Sequence, residues 1–198
     1  ISAVGEWVLR KTCEAYMANQ SYLPDDFLMA VNLSGRQFKG NLLVNFIRNL
    51  LEQTGMPAKN LELEITESLL MENTEQAVQT LRELSLLGIT LAIDDFGTGY
   101  SSLSYLKQFP LNVLKIDRTF VRDVTEDSDD AAIVNAILAM SNSLALEVVA
   151  EGVETAEQLA FLRKSQCKRA QGFYFSKAID LNDLMDYIKQ TDQDVRAV

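Results

Sequence analysis

The chain has 198 residues, of which 47% are hydrophobic, and its 18 basic and 28 acidic side chains give a net charge of −10. This length predicts one domain, residues 1–198, with a sizeable core, and the acidic balance without a basic cluster argues against a groove that follows a nucleic-acid polymer. No run of about 18 apolar residues is present, so we expect no membrane span, and Cys13 and Cys167 are too far apart for a Cys-x-x-Cys site and are expected to be buried free thiols.

Helix and strand patterns alternate along the whole chain. Amphipathic helices are indicated by apolar residues three and four positions apart, and strands by short apolar runs or strict alternation. In chain order the predicted elements are a helix over residues 4–20, a strand over 27–31, a helix over 41–53, a strand over 61–67, a helix over 73–87, strands over 90–95 and 112–117, a helix over 131–144, a strand over 147–151, a helix over 155–164, a strand over 168–175 and a helix over 180–190. The end of the chain, residues 191–198, is expected to fray.

Two predicted helices begin with a capping box, in which the side chains of two residues three positions apart bond each other's backbone. Asn73 and Gln76 form one such pair, and Thr155 and Gln158 form the other. An acidic loop over residues 125–130 precedes the helix over 131–144, where the helix dipole favours negative charge.

Six strands alternating with helices predict an α/β protein with a parallel sheet. Polar residues lie near the carboxyl ends of all six: Asn32, Glu64, Asp94 with Asp95, Lys115 with Asp117, Glu151 and Gln171. In a (β/α) barrel these ends converge on one rim, where the active site lies. A doubly wound sheet also gathers ligands at strand ends, but no Gly-x-Gly-x-x-Gly follows the first strand.

Adjacent carboxylates, Asp94 and Asp95, end the third strand and precede a Gly97-Thr98-Gly99 turn. Taken alone, the pair is best explained as a helix cap. The sequence has no histidine, so a metal ion in this chain would be held by oxygen, which indicates Mg²⁺, Mn²⁺ or Ca²⁺.

Six motifs in a fixed order carry a family resemblance: Val31-Asn-Leu-Ser34, Glu64-Ile-Thr-Glu67, Asp94-Asp-Phe-Gly-Thr-Gly-Tyr-Ser-Ser-Leu103, Leu114-Lys-Ile-Asp117, Ala150-Glu-Gly-Val-Glu154 and Gln171-Gly-Phe173. Together they resemble the EAL domain, the bacterial family of cyclic-di-GMP phosphodiesterases. The resemblance implies a modified (β/α)₈ TIM-like barrel, of which this chain supplies about six βα units. It also implies hydrolysis of cyclic di-GMP to linear 5′-pGpG with two Mg²⁺ or Mn²⁺ ions, and inhibition by Ca²⁺.

The resemblance further implies roles for individual residues. The metal ligands would be Asn32, Glu64, Asp94, Asp95 and Glu151. Lys115 would be the catalytic residue, with a structural ion pair to Asp117 as the alternative. Asp117 and Gln171 would contact substrate, although Gln171 could instead satisfy buried backbone. Glu67 would stabilise the loop over residues 97–103, or act only as an acid at a helix N-terminus.

Partners are also implied by the resemblance. We expect a homodimer through the region of residues 97–103, regulatory domains fused outside this chain, and a cytoplasmic location, either free or as the cytoplasmic part of a membrane-anchored protein.

The chain departs from the family pattern in one important respect, because the tripeptide Glu-Ala-Leu does not occur in it. We therefore expect the sequence to begin downstream of two barrel strands. The competing functional hypothesis is an EAL-like domain without catalysis that binds cyclic di-GMP as a receptor, or a scaffold that binds neither ligand nor metal. Smaller departures are Lys168, where many members carry Asp, and Ala178, where Pro is frequent.

Overall fold

The computed structural model describes residues 2–38, 41–72, 74–99 and 103–196. The strands of this part are Met29–Asn32 (β1), Leu61–Thr66 (β2), Thr90–Phe96 (β3), Val113–Ile116 (β4), Glu147–Ala150 (β5) and Arg169–Ala170 (β6). The helices are Ser2–Asn19 (α1), Asn41–Thr54 (α2), Glu67–Glu72 (α3), Thr74–Leu86 (α4), Leu103–Leu106 (α5), Arg118–Arg122 (α6), Ser128–Ser143 (α7), Ala156–Lys164 (α8) and Leu181–Arg196 (α9). Short 3₁₀ turns follow α1 and precede β2.

All strand pairs are parallel, and the six strands are hydrogen-bonded in the order of the sequence, from β1 to β6. Each connection between neighbouring strands passes through at least one helix. The carboxyl ends of the strands therefore meet at one edge of the sheet, and the predicted α/β fold with a parallel sheet is confirmed.

The two faces of the sheet carry different side chains. One face packs with the helices into the main core, to which β2 contributes Leu61, Leu63 and Ile65, all fully buried. Each such side chain contributes about 1.5–3 kcal/mol of transfer free energy. The other face has a small apolar cluster of Ala92, Val113 and Val149. Because side chains alternate along a strand, polar residues two positions beyond these three share the same face.

The sixth strand is much shorter than predicted. Only Arg169–Ala170 pairs with β5, whereas the pattern indicated residues 168–175. Gly172 has a φ of 156°, a value that L side chains rarely adopt, and a Cβ atom at this position would overlap the backbone of Val153. The chain turns there instead, and the N–H of Phe175 donates to the carbonyl of Gly172.

Helix ends also differ from the prediction. α7 begins at Ser128 because Asp127 caps it, so half of the predicted acidic loop is helical. α9 was expected to end at residue 190 but continues to Arg196, since a helix once started extends at little cost. The capping box of Thr155 and Gln158 is confirmed. The predicted box at Asn73 lies outside the described residues.

Three short helices, α3, α5 and α6, were not predicted. Two of them directly follow strands: Glu67 begins α3 after β2, and Asp117 separates β4 from α6. Both cysteines are free, as expected, with Cys13 buried and Cys167 only partly so. Among the helices of the described ranges, none has both the length and the hydropathy needed to cross a bilayer.

Candidate active site

The carboxyl edge of the sheet brings most of the predicted site residues together. Asn32 ends β1 and stands opposite Glu64 of β2 in the strand register. Asp94 and Asp95 belong to β3, Lys115 to β4, and Glu151 directly follows β5. The carboxylates of Asp94, Asp95 and Glu151 each offer an oxygen within 4.8 Å of the others. Asn32 itself is exposed at the end of its strand.

A bulge in β3 explains how adjacent residues share the site. Ile93 pairs with Leu114 and Phe96 with Ile116, so β3 has one more residue than β4 between these pairs. In a regular strand Asp94 and Asp95 would point to opposite faces, and a bulge is the usual way to redirect a side chain. Asp95 takes a left-handed φ of 55°, and its N–H donates to Oδ1 of Asp94 at 3.0 Å. Such a backbone is strained for a residue with a side chain.

Lys115 lies at the centre of the acidic cluster. Its Nζ is 2.5 Å from Oε1 of Glu64, 2.7 Å from Oε1 of Glu151 and 3.5 Å from Oδ1 of Asp94. The residue is 3% exposed, so these contacts replace water almost completely. Burial opposes the charged ammonium, but the hydrogen bonds and charges of Glu151 and Glu64 outweigh this and raise the pKa of Lys115 above its usual range. Lys115 is therefore a cation and not a free base.

Two carboxyl groups at this edge, Glu151 and Asp95, have raised pKa values. Burial raises the pKa of Glu151, and Asp94 and Glu64 raise it further, while Lys115 lowers it in part. Burial also raises the pKa of Asp95, with smaller contributions in the same direction from Asp94 and Asp117. The cluster therefore holds more negative charge than one ammonium compensates.

Asp117 caps the helix α6 at this edge of the sheet. Its Oδ1 accepts hydrogen bonds from the N–H of Thr119 at 2.9 Å and from the hydroxyl of Thr119 at 2.5 Å, and so caps α6. The three ion pairs of Lys115 in the described part go to other residues, so the alternative pairing of Lys115 with Asp117 is not observed there. Asp117 instead faces Asp95, whose pKa it raises.

Gln171 reaches the cluster from the turn after β6. Its Nε2 donates to Oε1 of Glu151 at 2.5 Å. Two backbone hydrogen bonds position Gln171: its N–H donates to the carbonyl of Ala150, and its carbonyl accepts from the N–H of Val153. Gln171 is exposed, which does not fit the alternative of a buried amide that satisfies backbone.

Glu67 connects the end of β2 to the loop after β3. It is 2% exposed, and its Oε2 accepts from the N–H of Gly97 at 3.0 Å. A Cβ atom at Gly99 would lie 2.6 Å from Oε1 of Glu67, so the loop passes directly over the carboxylate. Of the predicted loop over residues 97–103, residues 100–102 lie outside the described part.

The donor set fits a divalent ion. The carboxylate oxygens of Asp94, Asp95 and Glu151, gathered within 4.8 Å, are the hard ligands that Mg²⁺ and Mn²⁺ prefer. Asn32 lies on β1, two strands away from Asp94, and its strand neighbours the one that carries Glu64. Burial is the main cause of the raised pKa values of Asp95 and Glu151, and neighbouring carboxylates add to it, so a bound cation would favour their charged forms.

Sequence reasoning missed two charged residues near the site. Glu62 lies on the site face of β2, is 3% exposed, and has an Oε2 without a hydrogen-bond partner among the described residues. Burial raises its pKa, which Arg169 lowers in part. The alternation that singled out Glu64 also marks Glu62. Arg118, at the start of α6, has no comparable signal in the sequence.

Comparison with known proteins identifies the family to which this chain belongs. Residues 1–178 match the EAL domain. The cyclic di-GMP phosphodiesterase NbdA of Pseudomonas aeruginosa is 43% identical over 189 residues, which cover 96% of this chain and 24% of NbdA. The chain thus spans about a quarter of the length of this curated relative.

Solved structures agree in fold. A complex of the MucR phosphodiesterase with cyclic di-GMP, from the same organism, has a TM-score of 0.88 at 43% identity and covers 92% of this chain and 74% of its own. The BlrP1 complex of Klebsiella pneumoniae with manganese and cyclic di-GMP has a TM-score of 0.76 at 31% identity and covers 85% and 43%. The predicted TIM-like barrel architecture with about six βα units is confirmed.

Proposed function

Because this chain belongs to the EAL domain family, we propose that it hydrolyses cyclic di-GMP to linear 5′-pGpG with the help of two divalent ions. One observation carries the proposal: Asp94, Asp95 and Glu151 converge within 4.8 Å at the carboxyl edge of the sheet, around the ammonium of Lys115. A domain that only bound the dinucleotide would not need this concentration of buried charge, which is costly to maintain.

The residues that would hold the ions are Asn32, Glu64, Asp94, Asp95 and Glu151, with Mg²⁺ or Mn²⁺ as the matching ions and Ca²⁺ as an inhibitor. Bound there, the pair would acidify a water molecule and neutralise charge that develops on the phosphate. The bulge in β3 lets Asp94 and Asp95 offer oxygens to the same space, so both would help to hold the ions.

Lys115 and Gln171 act on the reacting groups directly. A buried ammonium whose charge is favoured by Glu64 and Glu151 can orient the attacking water and stabilise the extra negative charge of the transition state. The amide of Gln171, held by its bond to Glu151, is placed to contact substrate or water. Asp117 contributes by fixing α6 beside Asp95 and, in this proposal, by contacting substrate.

The test is incubation of the intact protein with cyclic di-GMP and Mn²⁺, followed by chromatography for 5′-pGpG. We expect product with the parent and essentially none with Asp94→Asn, while Asp129→Asn, an exposed acid in the first turn of α7, serves as the matched control and stays active. Binding measured by calorimetry without any turnover would favour the receptor hypothesis, and neither binding nor turnover would refute both.

The remaining expectations from the family are also part of the proposal. A homodimer through the region of residues 97–103, fused regulatory domains and a cytoplasmic location are consistent with cyclic di-GMP as a signalling substrate. The contact of Glu67 with Gly97 would then link that region to the strand that carries Glu64.

A further inference from the structure

Arg118 is a basic side chain beside the candidate site. It directly follows Asp117, begins α6 and is exposed. Its stem packs on the turn after β5: a Cβ atom at Gly152 would lie 2.5 Å from Cβ, 3.3 Å from Cα and 3.7 Å from Cγ of Arg118. Arg118 therefore joins two parts of the site, since Asp117 neighbours Asp95 and Gly152 directly follows Glu151.

The guanidinium of Arg118 is uncommitted. Among the described residues it forms no hydrogen bond or ion pair, and the same holds for Arg36 in the loop after β1, whereas three other cations of this region are engaged. Lys115 is buried among three carboxylates, Arg122 is paired with Asp123 at 2.7 Å, and Lys177 lies over the ring of Phe173 at 5.8 Å from its centroid. Arg118 thus supplies positive charge that the fold itself does not use.

The proposed substrate has a use for such a charge. Cyclic di-GMP contains two phosphodiesters in one ring, and the reaction cleaves only one of them. The acidic cluster and its ions would account for the phosphate that reacts, whereas the other phosphate carries a negative charge that a further cation can pair with. A guanidinium pairs with phosphate through two parallel hydrogen bonds, which makes arginine well suited to this task.

We propose that Arg118 binds the phosphodiester of cyclic di-GMP that is not cleaved, and so fixes the ring while the other phosphodiester reacts. This inference rests on the proposed function. The charge on the uncleaved phosphate is the same in the ground state and in the transition state. An interaction with it therefore lowers KM and leaves kcat unchanged.

The experiment compares Arg118→Gln and Arg118→Lys with the parent in the intact protein at saturating Mn²⁺. Glutamine keeps the Cβ and Cγ atoms that contact Gly152, so the packing of the stem is retained. Arg122→Gln is the matched control, because it removes an exposed arginine from the same helix. Each protein is assayed with cyclic di-GMP and with bis(p-nitrophenyl) phosphate, which carries a single phosphate, and the melting temperature of each is recorded.

For Arg118→Gln we expect KM for cyclic di-GMP to rise roughly 10-fold, which corresponds to about 1.4 kcal/mol, with kcat within about twofold of the parent. Hydrolysis of bis(p-nitrophenyl) phosphate should change less than about twofold, since it lacks a second phosphate. Arg118→Lys should recover part of the affinity, because an ammonium still pairs with phosphate as a point charge but lacks the second parallel hydrogen bond.

Other results would overturn the proposal. An equal loss with both substrates, together with a lower melting temperature, would make Arg118 a structural residue. A loss in Arg118→Lys as large as in Arg118→Gln would indicate a planar contact to a guanine base instead of a phosphate. A parent that turns over cyclic di-GMP with no KM change in Arg118→Gln refutes only this inference, whereas a parent that neither binds nor cleaves it refutes the proposed function as well.

Discussion

Lys115 and the carboxylates around it form one electrostatic unit at the scale of single residues. The ammonium is 2.5 Å from Glu64 and 2.7 Å from Glu151, in surroundings almost free of water. Both carboxylates would also ligate the proposed ions, so Lys115 and the ions share the same partners. A change at Lys115 therefore affects both the charge balance of the cluster and the chemistry.

We predict that Lys115→Met lowers kcat by about 100- to 1,000-fold with Mn²⁺ saturating, because it removes a preorganised charge from the transition state. Methionine has a similar length and no charge. Lys107→Met, at an exposed position, is the control and should retain parental turnover. Near-parental turnover of Lys115→Met would show that this lysine has no catalytic role.

The sequence identified the residue types of the site but not all of their conformations. Acid, amide and lysine side chains at the ends of successive strands were predictable, because parallel strands bring those ends together. The left-handed φ of Asp95 was not predictable, since it arises from the pairing of β3 with β4 across a bulge. Arg118 was missed because a single arginine after a strand is unremarkable until its packing on Gly152 is known.

At the scale of elements, the turn after β5 packs closely against α6. Gly152 has a φ of 70°, and its missing side chain leaves the space that Arg118 of α6 occupies. The turn that carries Glu151 can therefore contact the helix that Asp117 caps because Gly152 has no Cβ atom.

Gly152→Ala should lower the free energy of unfolding by about 2–4 kcal/mol, through backbone strain and displacement of Arg118 together. Gly55→Ala is the matched control, because Gly55 has a φ of 76° but only the Cε atom of Met17 nearby, at 3.8 Å. The control should cost about 1–2 kcal/mol, from strain alone. Urea denaturation of both variants separates the two contributions, and equal losses would contradict the packing argument.

Strand and helix patterns were informative in proportion to their length. The long alternations and apolar runs gave the correct order of elements, and the box of Thr155 and Gln158 gave a correct helix start. The prediction of the sixth strand was wrong over residues 173–175, because these apolar residues form a turn that contacts Val153. Such a tertiary contact cannot be recognised from the neighbouring sequence. The short helices α5 and α6 were missed because four or five residues are too few for a periodic pattern.

The whole molecule carries a net charge of −10, and part of it is concentrated in the cluster of Asp94, Asp95 and Glu151. The folded state raises the pKa of Asp95 and of Glu151, and so binds their protons more tightly than the unfolded chain does. The stability that these protons contribute is fully present at pH values below the pKa that the two carboxyl groups have in the unfolded chain. It is lost as the pH rises through the higher pKa that they have in the folded protein. Divalent ions act in the opposite direction, because they bind the deprotonated carboxylates.

We therefore expect the rise in melting temperature caused by Mn²⁺ to be larger at about pH 7 than at about pH 5. Each bound ion should add about 2.7 kcal/mol to the free energy of unfolding when free Mn²⁺ is about 100 times its Kd. The difference between samples with Mn²⁺ and with EDTA removes the pH dependence of the rest of the protein. Asp95→Asn should reduce this difference at both pH values. An equal Mn²⁺ effect at the two pH values in the parent would contradict the assignment of the ions to this cluster.

The bulge at Asp95 has a consequence for how the protein would respond to laboratory evolution. A left-handed backbone, a raised pKa and a neighbouring carboxylate all make this position worse for folding than glycine would be. A population selected for heat resistance alone would gain stability by replacing Asp95. If Asp95 holds an ion as proposed, the most stable variants would be the first to lose the proposed activity. Improvement of this domain for both properties has to come from the helices and the main core, far from the edge where strain and chemistry coincide.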